Sequence, residues 1–328
     1  MKIAILGAGA IGSMLGMFLQ EGGADIRLVD PFAEHMDKIA SEGLILHSVS
    51  GEDKQVKMET YHSADECGKV DLIILMTSGL FSRTALSMAS AMIGSDTLIC
   101  SCQNGFGQED AIKEFFSDDK ILQGVLGFSS VLVAPGEIRG NINRNPGKVH
   151  IYLGPMDMEK GPKEVAKTLV EYAKAGSLVA EYAEDIRPHI WAKAANNCAC
   201  NALCAVTRLT LEQVYEVPAG KHLHNEILRE LCEVGNAKGV PMDFDKILKS
   251  FEDITYPGVC KHYPSTAQDM FKRKKTEIDF LNGAIARYGK EVGVSTPYND
   301  MVTCLCKIIE GNFDNQYPIN YDASNNIE

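Results

Sequence analysis

No stretch of this chain approaches 18 uninterrupted apolar residues, so the sequence predicts no membrane-spanning helix. A basic stripe is missing too. Against 44 aspartates and glutamates there are only 32 lysines and arginines, and the net charge of −12 argues against a nucleic-acid-binding surface. The one dense basic run, Lys272-Arg273-Lys274-Lys275, reads as a solvated helix face. Internal repeats and long low-complexity tracts are also absent. The ten cysteines nowhere show the CxxC…CxxC spacing of a zinc site. Cys100/Cys102, Cys198/Cys200 and Cys304/Cys306 form C-x-C pairs, whose thiols are expected to point in different directions. The reading is reduced core thiols of a cytoplasmic protein, with no metal. The eight histidines form no ligand set, and His222-x-His224 is expected to be exposed.

What is present is an ordinary globular composition, 45% hydrophobic and 23% charged, in 328 residues, enough for two domains. Its N-terminus carries the clearest signal. The apolar strand Lys2-Ile3-Ala4-Ile5-Leu6 runs into Gly7-Ala8-Gly9-Ala10-Ile11-Gly12, with GxGxxG spacing. Gly7 permits a tight strand-to-helix turn, Gly9 lets a pyrophosphate approach bare backbone, and Gly12 lets the helix pack closely on the sheet. A second strand, Ile26–Val29, ends at Asp30, 18 residues beyond the last glycine. Strand, loop, helix, strand and acid in that order predict a dinucleotide site, with the phosphates at the positive end of the helix. Lys2 before an apolar run mimics a secretion signal, but the glycines sit where the turn needs them.

Strand and helix patterns alternate through the first part of the chain, as a doubly wound sheet requires. After a helix from Pro31 to Ala40, Leu44–Ser48 and Gln55–Thr60 flank the turn Ser50–Asp53 as a hairpin-like excursion. Asp71–Thr77 is a continuous apolar strand, and Thr97–Cys102 leads into the loop Gln103-Asn104-Gly105, at the carboxyl end where such sheets bind ligands. Residues 121–153 read as strands broken by Pro135-Gly136 and Asn141–Gly147, followed by a helix over 163–175 and a last strand over 177–181. Beyond that, helical patterns cover 186–206, 210–216, 221–238, 244–254, 265–290 and 298–310, then a loose Asn- and Asp-rich tail. The expectation is an α/β Rossmann domain over 1–183 and an all-helical domain over 184–328.

Within the first of these helices, Lys193, Asn197 and Asn201 recur at i, i+4 and i+8 among small apolar neighbours. A buried lysine and amides are costly unless they are paired or line a wet cavity. A satisfied interhelical network is one reading. The other is a cleft wall whose cation stabilises and protonates the alkoxide left when a hydride reaches a carbonyl. Ser265…Gln268-Asp269 and Thr276-Glu277-Ile278-Asp279 form a second element, in which Ser265 alone could be a helix cap.

Taken together, the glycine loop, Gln103-Asn104-Gly105, Trp191-x-Lys193 with Asn197 and Asn201, and Ser265…Gln268-Asp269…Glu277 resemble the ketopantoate reductase (2-dehydropantoate 2-reductase) family over nearly the whole chain. The resemblance implies a Rossmann domain followed by a helical domain like that of 6-phosphogluconate dehydrogenase. It implies reduction of ketopantoate to pantoate on the way to coenzyme A, in a cytoplasmic enzyme, by family habit a homodimer. Lys193 would be the general acid, and Glu277 would hold the substrate hydroxyl and orient the lysine. Asn104 would lie near nicotinamide and substrate, while Asn197, Asn201 and Ser265 would bind the substrate's hydroxyl or carboxylate. The cofactor-facing set would be Gly7, Gly9, Ala10, Ile11, Gly12, Asp30, Ser78, Asn104 and Glu277.

Three positions depart from the family. Where members commonly carry a basic residue for the 2′-phosphate of NADPH stands Val29-Asp30-Pro31, and a carboxylate there favours NAD(H) over NADP(H). A frequent cofactor-facing lysine is replaced by Ser78, and a further asparagine of some members by Leu211. The alternatives are therefore another branched or hydroxylated 2-oxo acid as substrate, or a protein that senses NAD without turning it over.

Overall fold

The computed structural model describes residues 1–48, 53–141, 149–256, 260–261 and 263–316. The chain divides into two compact units, Met1–Ala194 and Ala195–Glu328.

The first unit opens with β1 (Lys2–Leu6), buried from Ile3 onward, then α1 (Ala10–Glu21), β2 (Asp25–Val29) and α2 (Ala33–Glu42). An apolar run with no polar face suits a parallel strand covered on both sides. β3 (Leu44–Ser48) and β4 (Lys54–Val56) pair antiparallel, with Leu44 opposite Val56. Residues 50–52 of the expected turn lie outside the described residues. The expected strand Gln55–Thr60 is in fact two strands, because β5 (Glu59–Tyr61) leaves β4 and pairs with β2.

The short helix α3 (Ala64–Cys67) leads to β6 (Leu72–Leu75), and α4 (Ser82–Met88) to β7 (Leu98–Ser101). After α5 (Gln108–Ile112) come β8 (Ile121–Leu126), β9 (Ser129–Ala134), β10 (Glu137–Asn141) and β11 (Ile151–Pro155). Most of the expected break at Asn141–Gly147 lies outside the described residues. α6 (Lys163–Ala175) and β12 (Ala180–Tyr182) complete the unit's sheet region.

The main sheet has the order β12-β11-β8-β7-β6-β1-β2-β5 and is parallel except for the β8–β11 pair. β1 lies between β2 and β6, so the strand order reverses there, and at such a point an open sheet offers its crevice to a ligand. A second sheet, β4-β3-β10-β9, was not expected from the sequence. It forms because β10 pairs in parallel with β3, with Glu137 opposite Ile45.

The regular elements of the second unit are all helices among its described residues. α7 (Arg187–Thr207) runs into it, followed by α8 (Leu211–Tyr215), α9 (Pro218–Ala237), α10 (Phe244–Ser250), α11 (Ser265–Phe271), α12 (Asn282–Val292) and α13 (Pro297–Glu310). The single helix expected over 265–290 is broken. Lys272 caps α11, Arg273 turns to a positive φ of 54°, and the basic run is exposed on a turn and loop rather than on a helix face. No helix among the described residues is long and apolar enough to cross a membrane.

Two further expectations are corrected. Cys100 and Cys102 do not point apart. Side chains two apart along extended chain share a face, so their sulfurs lie 3.8 Å from each other. The hydrogen bond with the Cys102 thiol, and then burial, hold the Cys100 thiol protonated, which makes it a poor nucleophile. His224 is buried, not exposed. It packs against Tyr215 and Phe251, and burial pushes its pKa down to about 4.

Candidate active site

The glycine loop leaves the carboxyl end of β1 where the strand order reverses. Gly7 has φ +95°, and a Cβ there would stand 2.6 Å from the Thr77 backbone nitrogen. At Gly12 a Cβ would sit 2.3 Å from the Gly7 carbonyl oxygen. Both glycines are required by the protein's own packing. Gly9 differs, since a Cβ there would meet nothing within 4 Å, so packing within the fold does not require its bareness. α1 starts at this point, with the Ser13 N–H donating to the Gly9 carbonyl at 2.8 Å. No side chain caps the helix and its first turn holds no acid, so its positive end is uncompensated. Ala10 and Ile11 are half-buried in that turn.

Asp30 follows the last residue of β2, and its Oδ1 accepts the Phe32 N–H at 2.9 Å. That bond uses one carboxylate oxygen of the two. Ser78 is half-buried just past β6, next in sequence to the Thr77 that abuts Gly7.

At the carboxyl ends of β7 and β8 a pocket is lined by Ser101, Gln103, Asn104, Gln108, Gln123 and Lys193, with apolar walls at Val125 and Ile190. Lys193 is the one charged side chain among its lining residues. The Gln103 carboxamide donates to the Thr77 carbonyl at 2.8 Å and to Ser82 Oγ at 2.7 Å, and it accepts from Ser101 Oγ at 3.1 Å. Those three bonds fix the loop that presents Asn104. A further bond, from Gln108 Nε2 to the Asn104 carbonyl, holds the loop from the helix side. The Phe106 ring packs on Trp191, centroids 4.7 Å apart, which sets the start of α7 beside the same loop. Asp185 caps that start: its Oδ1 accepts the Arg187 N–H at 3.0 Å, and the Arg187 guanidinium holds the carboxyl below its usual range.

One and two turns after Lys193, α7 carries Asn197, half-buried, and Asn201, buried. In the second unit Asn282 Nδ2 donates to the Cys198 carbonyl at 3.0 Å and to Asn299 Oδ1 at 2.9 Å. Glu230, also buried, accepts the Tyr298 N–H (2.8 Å), the Asn299 N–H (2.9 Å) and Asn299 Nδ2 (2.7 Å), so a carboxylate of α9 caps α13. Glu230→Ala leaves three donors without that acceptor. It is expected to lower stability by about 2–4 kcal/mol in denaturant unfolding, with Glu230→Gln, which keeps one carbonyl oxygen, in between.

Ser265 is the first residue of α11 and exposed, with Pro264 at the cap position, so it is not the cap that the sequence suggested. Glu277 is half-buried after Thr276, whose N–H and hydroxyl both bond Glu310 Oε1 at 2.7 and 2.6 Å. Burial, and then the Glu277 charge, push the Asp269 carboxyl upward.

Residues 3–157 match the profile described as "Ketopantoate reductase PanE/ApbA", and residues 185–310 match "Ketopantoate reductase PanE/ApbA C terminal". The chain belongs to the ketopantoate reductase family. It is 30% identical over 311 residues to a 2-dehydropantoate 2-reductase of Streptococcus pyogenes serotype M3, covering 93% of this chain and 96% of that one. The enzyme of the same name from Lactococcus lactis subsp. lactis is 32% identical over the same coverage. Among solved structures, a ternary complex of D-mandelate dehydrogenase with NADH and anilino(oxo)acetate superposes with a TM-score of 0.82 at 30% identity, covering 95% of this chain and 99% of that one. The chain is thus an oxidoreductase of the 2-dehydropantoate 2-reductase family, with the Rossmann and helical parts of that family.

Within a ketopantoate reductase framework, the structure brings Asn104 and Lys193 into one pocket. It places Gly7, Asp30 and Ser78 just past strand ends of the same unit, and Gly9, Ala10, Ile11 and Gly12 at the start of α1. Asn197, Asn201, Ser265 and Glu277 belong to the second unit. Sequence reasoning did not single out Gln108 and Gln123 as pocket residues. Gln108 stands four residues after Asn104 at the start of a helix, a spacing that could have marked it, whereas Gln123 lies within an otherwise buried strand and gives no signal of its own.

Proposed function

We propose that this chain reduces a 2-oxo acid, ketopantoate in the first instance, to the 2-hydroxy acid, with NADH as reductant. The observation that carries the reading is Lys193, the one charged side chain among the lining residues, in an amide-lined pocket with Asn104 at the carboxyl end of the sheet. The glycine loop fits a dinucleotide: Gly9 leaves its backbone bare, and the uncapped end of α1 favours a pyrophosphate. A reduced nicotinamide, when bound, supplies a hydride for the carbonyl carbon. Lys193 Nζ then gives a proton to the developing alkoxide oxygen, so one hydride and one proton make the hydroxyl. Asn104 orients the carbonyl. By the family motif, Asn197, Asn201 and Ser265 bind the substrate's hydroxyl and carboxylate, and Glu277 favours the charged lysine. Asp30 selects NADH, since its second oxygen suits a ribose hydroxyl and its charge repels a 2′-phosphate.

A second reading keeps the chemistry and changes the acid. It is supported by the 30% identity to D-mandelate dehydrogenase, equal to that with the streptococcal reductase, and by Ser78 and Leu211 at family positions of other chemistry. Steady-state kinetics with ketopantoate and a panel of 2-oxo acids, each with NADH and NADPH, separates the two. Ketopantoate with NADH is expected to give the highest kcat/KM. A better aromatic or branched acid moves the assignment to the second reading, and no turnover of any 2-oxo acid removes both.

A further inference from the structure

The geometry points to His35 and Ser13 as positioning residues that hold the dinucleotide loop in its binding conformation. The inference rests on the reading that the glycine loop holds the dinucleotide. Both side chains are fully buried. The Gly136 N–H donates to His35 Nδ1 at 2.8 Å, so that nitrogen carries a lone pair and no proton. Ser13 Oγ lies 2.7 Å from the Ala8 carbonyl, which can only accept, so the serine hydrogen points there. The 3.2 Å contact between Ser13 Oγ and His35 Nε2 is therefore Nε2–H donating to oxygen. All three hydrogens are fixed, and the ring is held as one uncharged tautomer.

The chain of bonds ends on Ala8, between Gly7 and Gly9. A trans peptide points its C=O and N–H in opposite directions. Drawing the Ala8 carbonyl inward therefore turns the Gly9 N–H outward, on the glycine whose missing side chain leaves open space. That is the donor a pyrophosphate needs. The other end of the chain is equally fixed. Gly136 has φ +79° in the β9–β10 turn, its carbonyl accepts the Ile45 N–H at 2.9 Å, and a Cβ there would stand 2.9 Å from Lys38 Cβ. The second sheet thus anchors the loop through His35.

A second proton, on Nδ1, would face the Gly136 N–H and break the arrangement. Burial opposes that proton, while the Asp30 charge and the Ala8 carbonyl favour it, and the net effect is a lowered pKa. Asp30 is the charged group acting on the ring. α1 presents Ser13, the loop presents Ala8, the hairpin turn presents the Gly136 backbone, and Phe32 stacks at 6.0 Å. A histidine with a lowered pKa is neutral at and above pH 7 and charges only as the pH falls below the ordinary value. NADH binding should accordingly be constant from pH 8 to 7 and weaken at lower pH.

The test is equilibrium binding of NADH to the full chain, followed by its fluorescence from pH 8 to 5, in wild type, Ser13→Ala and His35→Gln. For wild type the dissociation constant is expected to rise about tenfold by pH 5, a factor that corresponds to one unit of pKa coupling. Ser13→Ala should bind about tenfold more weakly at pH 7.5 with the acid dependence lost, and its segment 7–12 should exchange amide hydrogen faster. His35→Gln offers an uncharged donor toward Ser13. It should keep the neutral-pH affinity to within about threefold and lose the acid weakening. Asp30 is intact in that variant, so a wild-type acid profile in His35→Gln overturns the proposal, as does wild-type affinity with a wild-type profile in Ser13→Ala. Wild type that binds no NADH at any pH overturns the dinucleotide reading along with it.

Discussion

Replacing Lys193 by alanine is expected to lower kcat for 2-oxo acid reduction by about 10²–10⁴-fold, the range for losing a general acid, while the dissociation constant for NADH stays as it was. Two losses combine. The alkoxide oxygen has no proton donor at hand, and the pocket gives up the only charge among its lining residues, leaving amides to face a developing anion. Small primary amines added to the variant should restore part of the rate, because the truncated side chain leaves room for them. Stopped-flow reduction with saturating NADH reads the step directly. Unchanged turnover in Lys193→Ala removes the assignment, and a rise in KM with unchanged kcat reduces Lys193 to a carboxylate anchor.

Asp30→Ser is expected to lower the ratio of kcat/KM with NADH to that with NADPH by about 10–100-fold, the equivalent of one charge-assisted hydrogen bond lost from the ribose side. Serine is the informative replacement. Its hydroxyl can still accept the Phe32 N–H that Asp30 Oδ1 now accepts, so the turn is kept while the charge is removed. If Asp30 serves only that turn, the ratio stays put. Asp30→Arg, which adds a partner for a 2′-phosphate, should carry the preference further toward NADPH.

The parts of this molecule legible in the sequence are those whose causes are local. The strand, glycine loop, helix and acid of residues 2–30 read correctly because each constraint lies within a few residues of its consequence. Helix 163–175 coincides with α6 for the same reason. The second sheet was not legible, because β3 meets β10 some 90 residues later and nothing near Leu44 announces that partner. Residues 265–290 misled because Lys272–Lys275 looks like a polar helix face, whereas Arg273 ends the helix by entering the left-handed region. The C-x-C spacing misleads at Cys100 and Cys102 because side chains two apart, which diverge on a helix, share a face along extended chain. In the candidate site, Lys193 and Asn104 were visible by residue type and spacing. The bonds that fix Gln103 to Thr77 and Ser82 depend on the juxtaposition of β6 and β7 and needed the fold.

α7 carries Lys193, Asn197 and Asn201 on consecutive turns of one unbroken helix. A single inserted or deleted residue between the lysine and the first asparagine would rotate everything beyond it by about 100° about the helix axis. The two amides would then face another direction from the ammonium, however well the chain still folded. The phase between the ammonium and the amides is therefore kept only when side chains are exchanged on a helix of unchanged length. The loop at Gln103-Asn104-Gly105 has no such helical phase to keep; its geometry is set instead by the bonds from Gln103 to Thr77, Ser82 and Ser101.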